Sequence, residues 1–249
     1  MIPRTRTATA MALRDQLRRP LVLLLLGAVP ASVIVWSVAI TQPTPRPIDL
    51  FGGVALTTTM KDLHGPEMAI VTVAFVAALV GVFVMQSSLQ GDRRLVAAGL
   101  GAGEAISARL MVLIAATLVV VGVSAAVTAI SFTAASWVPV IGALVLTGLI
   151  YAAIGTLAGA VLDRLAATYL ILFLAMTDVG VVQDPMFHSA PGDGSWLLPG
   201  YGPARMLFDG AYAQGFNAGR ELLLGLAWLG VLALAVCFVL LRTLGRRDR

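Results

Sequence analysis

Few residues in this chain are equipped for chemistry. It has two histidines, His64 and His188, and one cysteine, Cys237. The histidines lie far apart in segments that read as loops. No ligand spacing surrounds them, so a metal site is not expected. A single thiol, set in the apolar run 233–241, forms no internal disulfide. Gly99, Gly101 and Gly103 resemble the GxG of a phosphate-cradling loop. However, no strand precedes them and no Lys-Ser/Thr follows, as a P-loop requires. The chain's one lysine is Lys61, far from that loop. No Walker-type nucleotide site, and no cofactor bound by this chain, is expected. Asp209-Gly210 with Arg205 gives the beginning of an acidic motif for a membrane-embedded lipid-modifying enzyme. No second Asp pair follows at helical spacing to hold metal or phosphate, which leaves that reading as an alternative.

The elements that must position these residues follow from composition. Of 249 residues, 59% are hydrophobic and only 12% charged, about half the charged share of a soluble domain. That excludes an ordinary soluble enzyme and a disordered chain. The net charge of +4 points to nucleic acid only until the charges are placed. A bilayer of ~30 Å hydrocarbon needs about 20 apolar residues per helix. Six segments qualify, 20–40, 68–89, 110–132, 138–162, 165–182 and 221–241. The expected fold is an all-α integral membrane protein of one transmembrane domain.

The arginines set its orientation. With the N-terminus inside, thirteen basic residues fall on the cytoplasmic side and four (Arg46, Lys61, Arg205, Arg220) outside. Both termini are then cytoplasmic, and the basic excess is a topology signal with no nucleic acid implied. Residues 4–19, with Ala10, Leu13 and Leu17 at helical spacing beside Arg14 and Arg18, read as an amphipathic helix on the inner leaflet. In the outer loop 41–66, Pro43, Pro45 and Pro47 favour polyproline-like extension. The cytoplasmic loop 90–109 reads as a charged helix, a glycine turn and a helix start near Glu104. The outer segment 183–220, rich in Pro, Gly and aromatic residues, reads as two short re-entrant or interfacial helices, one of them over 203–212.

Polar groups within the spans are few. Ser124, Thr128, Thr147, Tyr151, Thr177 and Asp178 are the candidates for a transport pathway. Asp178 has two readings, a substrate or gate contact and an outer-interface acid hydrated by the loop, because an acid at membrane depth is costly unless it meets water, a partner or a cavity. No span carries a second buried acid or a histidine, so no proton relay is expected. Gly155 and Gly159 form a GxxxG pair that permits close helix approach, either within one subunit or between two.

This arrangement resembles the permease subunits of ABC-2 type (type V exporter-like) ABC transporters. Three signatures carry the resemblance. Asp92-Arg93-Arg94, a Gly-rich turn and Glu104 to Arg109 are similar to the family's coupling loop, with Asp92 where the family more often has Glu. The fourth span's Ala152-Ala153-Ile154-Gly155-Thr156-Leu157-Ala158-Gly159 is similar to its small-residue helix. Leu198-Pro199 through Ala211 is similar to its proline-led outer segment. The resemblance implies a translocation pathway formed as a homo- or heterodimer in a bacterial plasma membrane. Two separate ATPase subunits would carry ATP and Mg, and Asp92, Arg93, Arg94, Glu104 and Arg109 would couple to them. The mostly apolar spans imply a lipophilic substrate such as a drug, antibiotic, peptide or lipid. A non-transporting membrane anchor is a further alternative, and an importer is disfavoured by the lack of a long EAA-like loop.

Overall fold

A computed structural model describes residues 24–49, 55–97, 101–187, 192–213 and 215–245. The expected amphipathic helix 4–19 and the first four residues of span 20–40 lie outside the described residues. The structure is mostly helical. A π-helical turn, Leu24–Ala28, leads into α1 (Val29–Ile40). Strands β1 (Pro45–Asp49) and β2 (Ala55–Thr59) follow, then α2 (Met60–Ala97), α3 (Ala102–Ser131), α4 (Trp137–Val161) and α5 (Arg164–Thr177). α5 continues as a π-helical turn, Asp178–Val182, and a 3-10 turn (Ser195–Leu197) precedes α6 (Tyr201–Tyr212) and α7 (Gly219–Gly245). Among the described residues five helices, α2 to α5 and α7, are long and apolar enough to cross a membrane, and Leu26–Ile40 is a shorter apolar helix. Large apolar side chains cover the outside, among them Ile130, Phe173 and Leu234, a surface that fits lipid and not water.

The helices ascend and descend in turn, which gives the bundle two ends. One carries the β1–β2 hairpin and the start of α2; we call it the hairpin end. The other carries the turn between α2 and α3, the tip end. α2 is the central helix: 83% of its most apolar window is buried, against 11% for α7. Its 38 residues span ~57 Å at ~1.5 Å each, well beyond the hydrocarbon thickness.

A seam of small residues joins α2 to α4. A Cβ on Gly81 would lie 2.7 Å from the Thr156 nitrogen, and one on Gly159 would lie 3.0 Å from the Val82 Cα. Gly155 sits directly on the Ala78 backbone. The GxxxG pair therefore packs within this chain, backbone against backbone.

Two expectations for segment 41–66 are corrected. β1 is a paired strand, with Arg46 opposite Thr58, where polyproline extension was expected. The proline spacing explains this. Met60 N–H donates to the Thr44 carbonyl at 2.8 Å, so even-numbered residues of β1 face the partner strand. Pro45 and Pro47 then sit on the free edge, where a missing N–H costs nothing. Second, α2 begins at Met60, eight positions before the expected span, and takes Pro66 inside it. Proline cannot donate to the carbonyl four residues back. That carbonyl, of Asp62, instead accepts the Tyr212 hydroxyl at 2.9 Å, and Tyr212 is held in turn by an edge-on contact with Phe132 at 5.6 Å between centroids.

α6 is a half-length helix laid antiparallel against the first half of α4. Gly210 abuts Pro139, Met206 reaches Gly142, and Pro203 meets Gly225 of α7 beside Leu146. Its N-terminus therefore points into the bundle and its C-terminus, Tyr212, lies at the hairpin end.

Candidate functional site

At the tip end, Asp92, Arg93 and Arg94 lie on the last turns of α2, which stays helical to Ala97. Gly99 falls outside the described residues. Glu104, half-buried, turns back to accept the Gly101 N–H at 3.1 Å, closing the first turn of α3 as a helix-start carboxylate does. Arg109 is turned inward. It is 4% exposed, and its Nη1 lies 3.3 Å from the Met85 sulfur in a layer with Ala105, Ile106, Val236 and Leu240. The expected coupling set is thus divided: three residues on the end of α2, one capping α3, and one inside. The neighbouring turn is built from local ties. Asp163 Oδ1 accepts the N–H groups of Leu165 and Ala166, both at 2.9 Å. Gln86 donates to the Leu162 carbonyl at 3.0 Å, and the Arg164 guanidinium stacks 4.5 Å above the Phe83 ring.

In the interior, Ser124, Thr128, Thr147 and Tyr151 are all buried. Thr147 donates to the Ala143 carbonyl at 2.8 Å. Thr117, which sequence reading passed over, joins Ser124 and Thr128 on one face of α3, seven and eleven positions apart. The hydroxyl oxygens of these three have no hydrogen-bond partner among the described residues. Thr177 is different. α5 buries Ala167, Ile171 and Ala175, and two further positions rotate Thr177 to the exposed face.

Asp178 is 1% exposed. Its carboxyl accepts the Tyr151 hydroxyl at 2.6 Å and the Gly200 N–H at 2.8 Å, with Gln183 Nε2 at 3.4 Å. The reading of a loop-hydrated acid is corrected: the segment leading into α6 folds back into the bundle and encloses it. On the Gly200 side the packing is close, since a Cβ there would stand 2.8 Å from Asp178 Oδ1. Asp178 ties the end of α5 to the middle of α4 and the start of α6.

Asp178 is not the sole enclosed acid. Glu67 and Asp184 are each 2% exposed and Asp209 is fully buried. Asp209 accepts the Asn217 N–H at 2.8 Å, linking α6 to the approach of α7. The carboxyl groups of Glu67 and Asp184 lie close enough to act on each other. His64 Nδ1 lies 3.2 Å from Glu67 Oε2 and 3.2 Å from the Met186 sulfur. Asp184 Oδ1 also accepts the Met186 N–H at 2.6 Å, while Arg46 of β1 donates to the Met186 carbonyl at 2.6 Å. Burial, and then the Glu67 carboxyl, push Asp184 up to about 8. Burial also raises the Tyr212 hydroxyl, with Asp62 and Glu67 adding to it.

The expectation of no second buried acid or histidine is therefore corrected, and its cause is plain. With α2 taken to begin at residue 68, His64 and Glu67 fall in a loop. In α2 they stand three positions apart on one face. The spacing His-x-x-Glu was the available signal. Among the described residues, no three His, Cys, Asp or Glu side chains form a metal-holding group. No family model matches the chain, and no curated protein matches it.

Proposed function

We propose that this chain is the membrane-spanning permease subunit of an ATP-driven exporter of the ABC-2 type, in a bacterial plasma membrane. It pairs with a second permease of the same or related sequence and with two ATPase subunits that bind ATP and Mg. The sixth span is completed by residues 20–40, both termini lie on the ATPase side, and the hairpin end faces outward. The substrate is lipophilic, in keeping with an apolar bundle in which Ser124, Thr128 and Thr147 are enclosed.

The observation that carries this reading is the α2–α3 helical hairpin. It extends Asp92, Arg93 and Arg94 beyond the apolar part of α2 and returns through a capped turn at Glu104. A helical extension at the end of the central helix can pass an external push into the bundle. The chain needs a partner for that push.

The test is co-purification with an ATPase encoded beside it, followed by ATP-dependent export from inverted vesicles. Replacing Arg93 and Arg94 with Ala is expected to reduce ATPase association at least tenfold while membrane insertion is kept. Glu104→Gln retains the cap and should preserve coupling, whereas Glu104→Ala should not. Full export by the double arginine variant, or failure of any ATPase to co-purify, overturns the reading.

A further inference from the structure

We propose that Glu67 and Asp184 form a proton-held latch that closes the hairpin end, so that opening there releases one proton to water and closing takes one up. The geometry sets this requirement. Two carboxyl groups, each almost wholly enclosed, meet across two elements, α2 and the segment after the π-helical turn, where His64 touches both Glu67 and Met186 and the Met186 N–H is held by Asp184. Two enclosed carboxylates side by side repel, and neither has a proton to donate to the other. One of the pair must be a carboxylic acid.

The surrounding groups decide which. Glu67 faces the His64 Nδ1 at 3.2 Å, so it is placed to accept from the imidazole as well as from Asp184. Asp184 is placed to donate through one oxygen while the other accepts the Met186 N–H. The closed arrangement is therefore Asp184 carboxylic acid to Glu67 carboxylate to His64 N–H. Among the described residues, four other charged or titratable groups near the pair are engaged elsewhere. Arg46 of β1 donates to the Met186 carbonyl. Asp62 of α2 binds Thr59 at 2.7 Å. Tyr212 of α6 donates to the Asp62 carbonyl. Asp178 is occupied by Tyr151 and Gly200. None offers a cation in contact with Asp184, which would allow it to ionise in place.

The latch joins separate parts of the chain. It fastens segment 183–187 to the start of α2, and Arg46 fastens the same segment to the hairpin. If the segment lifts, Asp184 meets water and returns to the ordinary carboxylate range near 3.9. Its proton then leaves for bulk solvent at neutral pH. No other covalent bond changes. Under the exporter reading, on which the direction of release rests, this proton goes to the outside.

The experiment uses the purified full chain in nanodiscs, without ATPase or substrate. Hydrogen–deuterium exchange is followed at the amides of Gln183, Met186 and Phe187, which the closed segment engages, and corrected for intrinsic exchange. A one-proton linkage makes the closed-to-open ratio fall about tenfold per pH unit, between the ordinary carboxyl pKa and about 8. Protection should thus drop by more than about tenfold from pH 5.5 to 7.5. In Asp184→Asn, whose amide donates to Glu67 without titrating, protection should stay high and flat. Glu67→Gln, which supplies an amide donor instead of the acceptor, should flatten the slope too and serves if the first variant does not fold. A flat wild-type profile, or the wild-type slope surviving in either variant, overturns the latch. Because no ATPase is present, these outcomes are independent of whether the exporter reading holds.

Discussion

At the hairpin end, Glu67, Asp178, Asp184 and Asp209 are each at most 2% exposed and each binds a group from another element. At the tip end, Asp163 and Arg164 are exposed, and their bonds close the local turn or lean on the surface of α2. Both ends use carboxylates to accept backbone N–H groups. What differs is water. An enclosed acid must be neutral or fully satisfied, so the hairpin end is held together by its charges and sensitive to protons. A solvated acid contributes little and leaves its end free to meet another molecule.

That contrast is most severely tested at Asp178. Asp178→Ala leaves the Tyr151 hydroxyl and the Gly200 N–H enclosed without an acceptor. The expected loss is about 3 kcal/mol in detergent unfolding. Asp178→Asn keeps an acceptor and should lose about 1 kcal/mol. Next in size, Tyr212→Phe strands the Asp62 carbonyl that Pro66 leaves open, an expected loss of about 1–2 kcal/mol. The smallest effects belong to the tip end. Asp163→Ala removes a helix cap worth about 1 kcal/mol, and Arg164→Ala removes a cation–π contact worth about 0.5–1 kcal/mol. If Asp163→Ala costs more than Asp178→Ala by the same unfolding measurement, the contrast between the ends is wrong.

Much of the bundle was legible because apolar length is a strong signal. α3, α4 and α7 fall within a few residues of the expected spans, apart from an earlier start of α3, and α5 with its π-helical turn matches 165–182. The reading failed where a helix continues through polar residues. Lys61, Asp62, His64, Gly65 and Pro66 look like a loop by composition, yet they form the first turns of α2, because Tyr212 and Asp184, over a hundred residues away in the chain, supply what that stretch lacks. The same long-range pairing hid the enclosed acids. Asp184 looked like an exposed loop residue, and nothing local marks it as the partner of Glu67. By contrast, Gly155 and Gly159 were recognisable as a packing motif from four-residue spacing alone, although which helix they meet was not.

The α2–α4 seam also imposes an order in time. It joins positions about 75 residues apart, and at roughly 5–20 residues per second a nascent α2 waits on the order of 4–15 s for its partner. Throughout that interval Gly81 has no cover, and α3, which emerges between the two, is the neighbour at hand. The central helix of the finished bundle is thus made early and completed late. A slow codon run or a stalled ribosome between α3 and α4 would leave the chain's most enclosed element on show to the membrane's quality-control proteases.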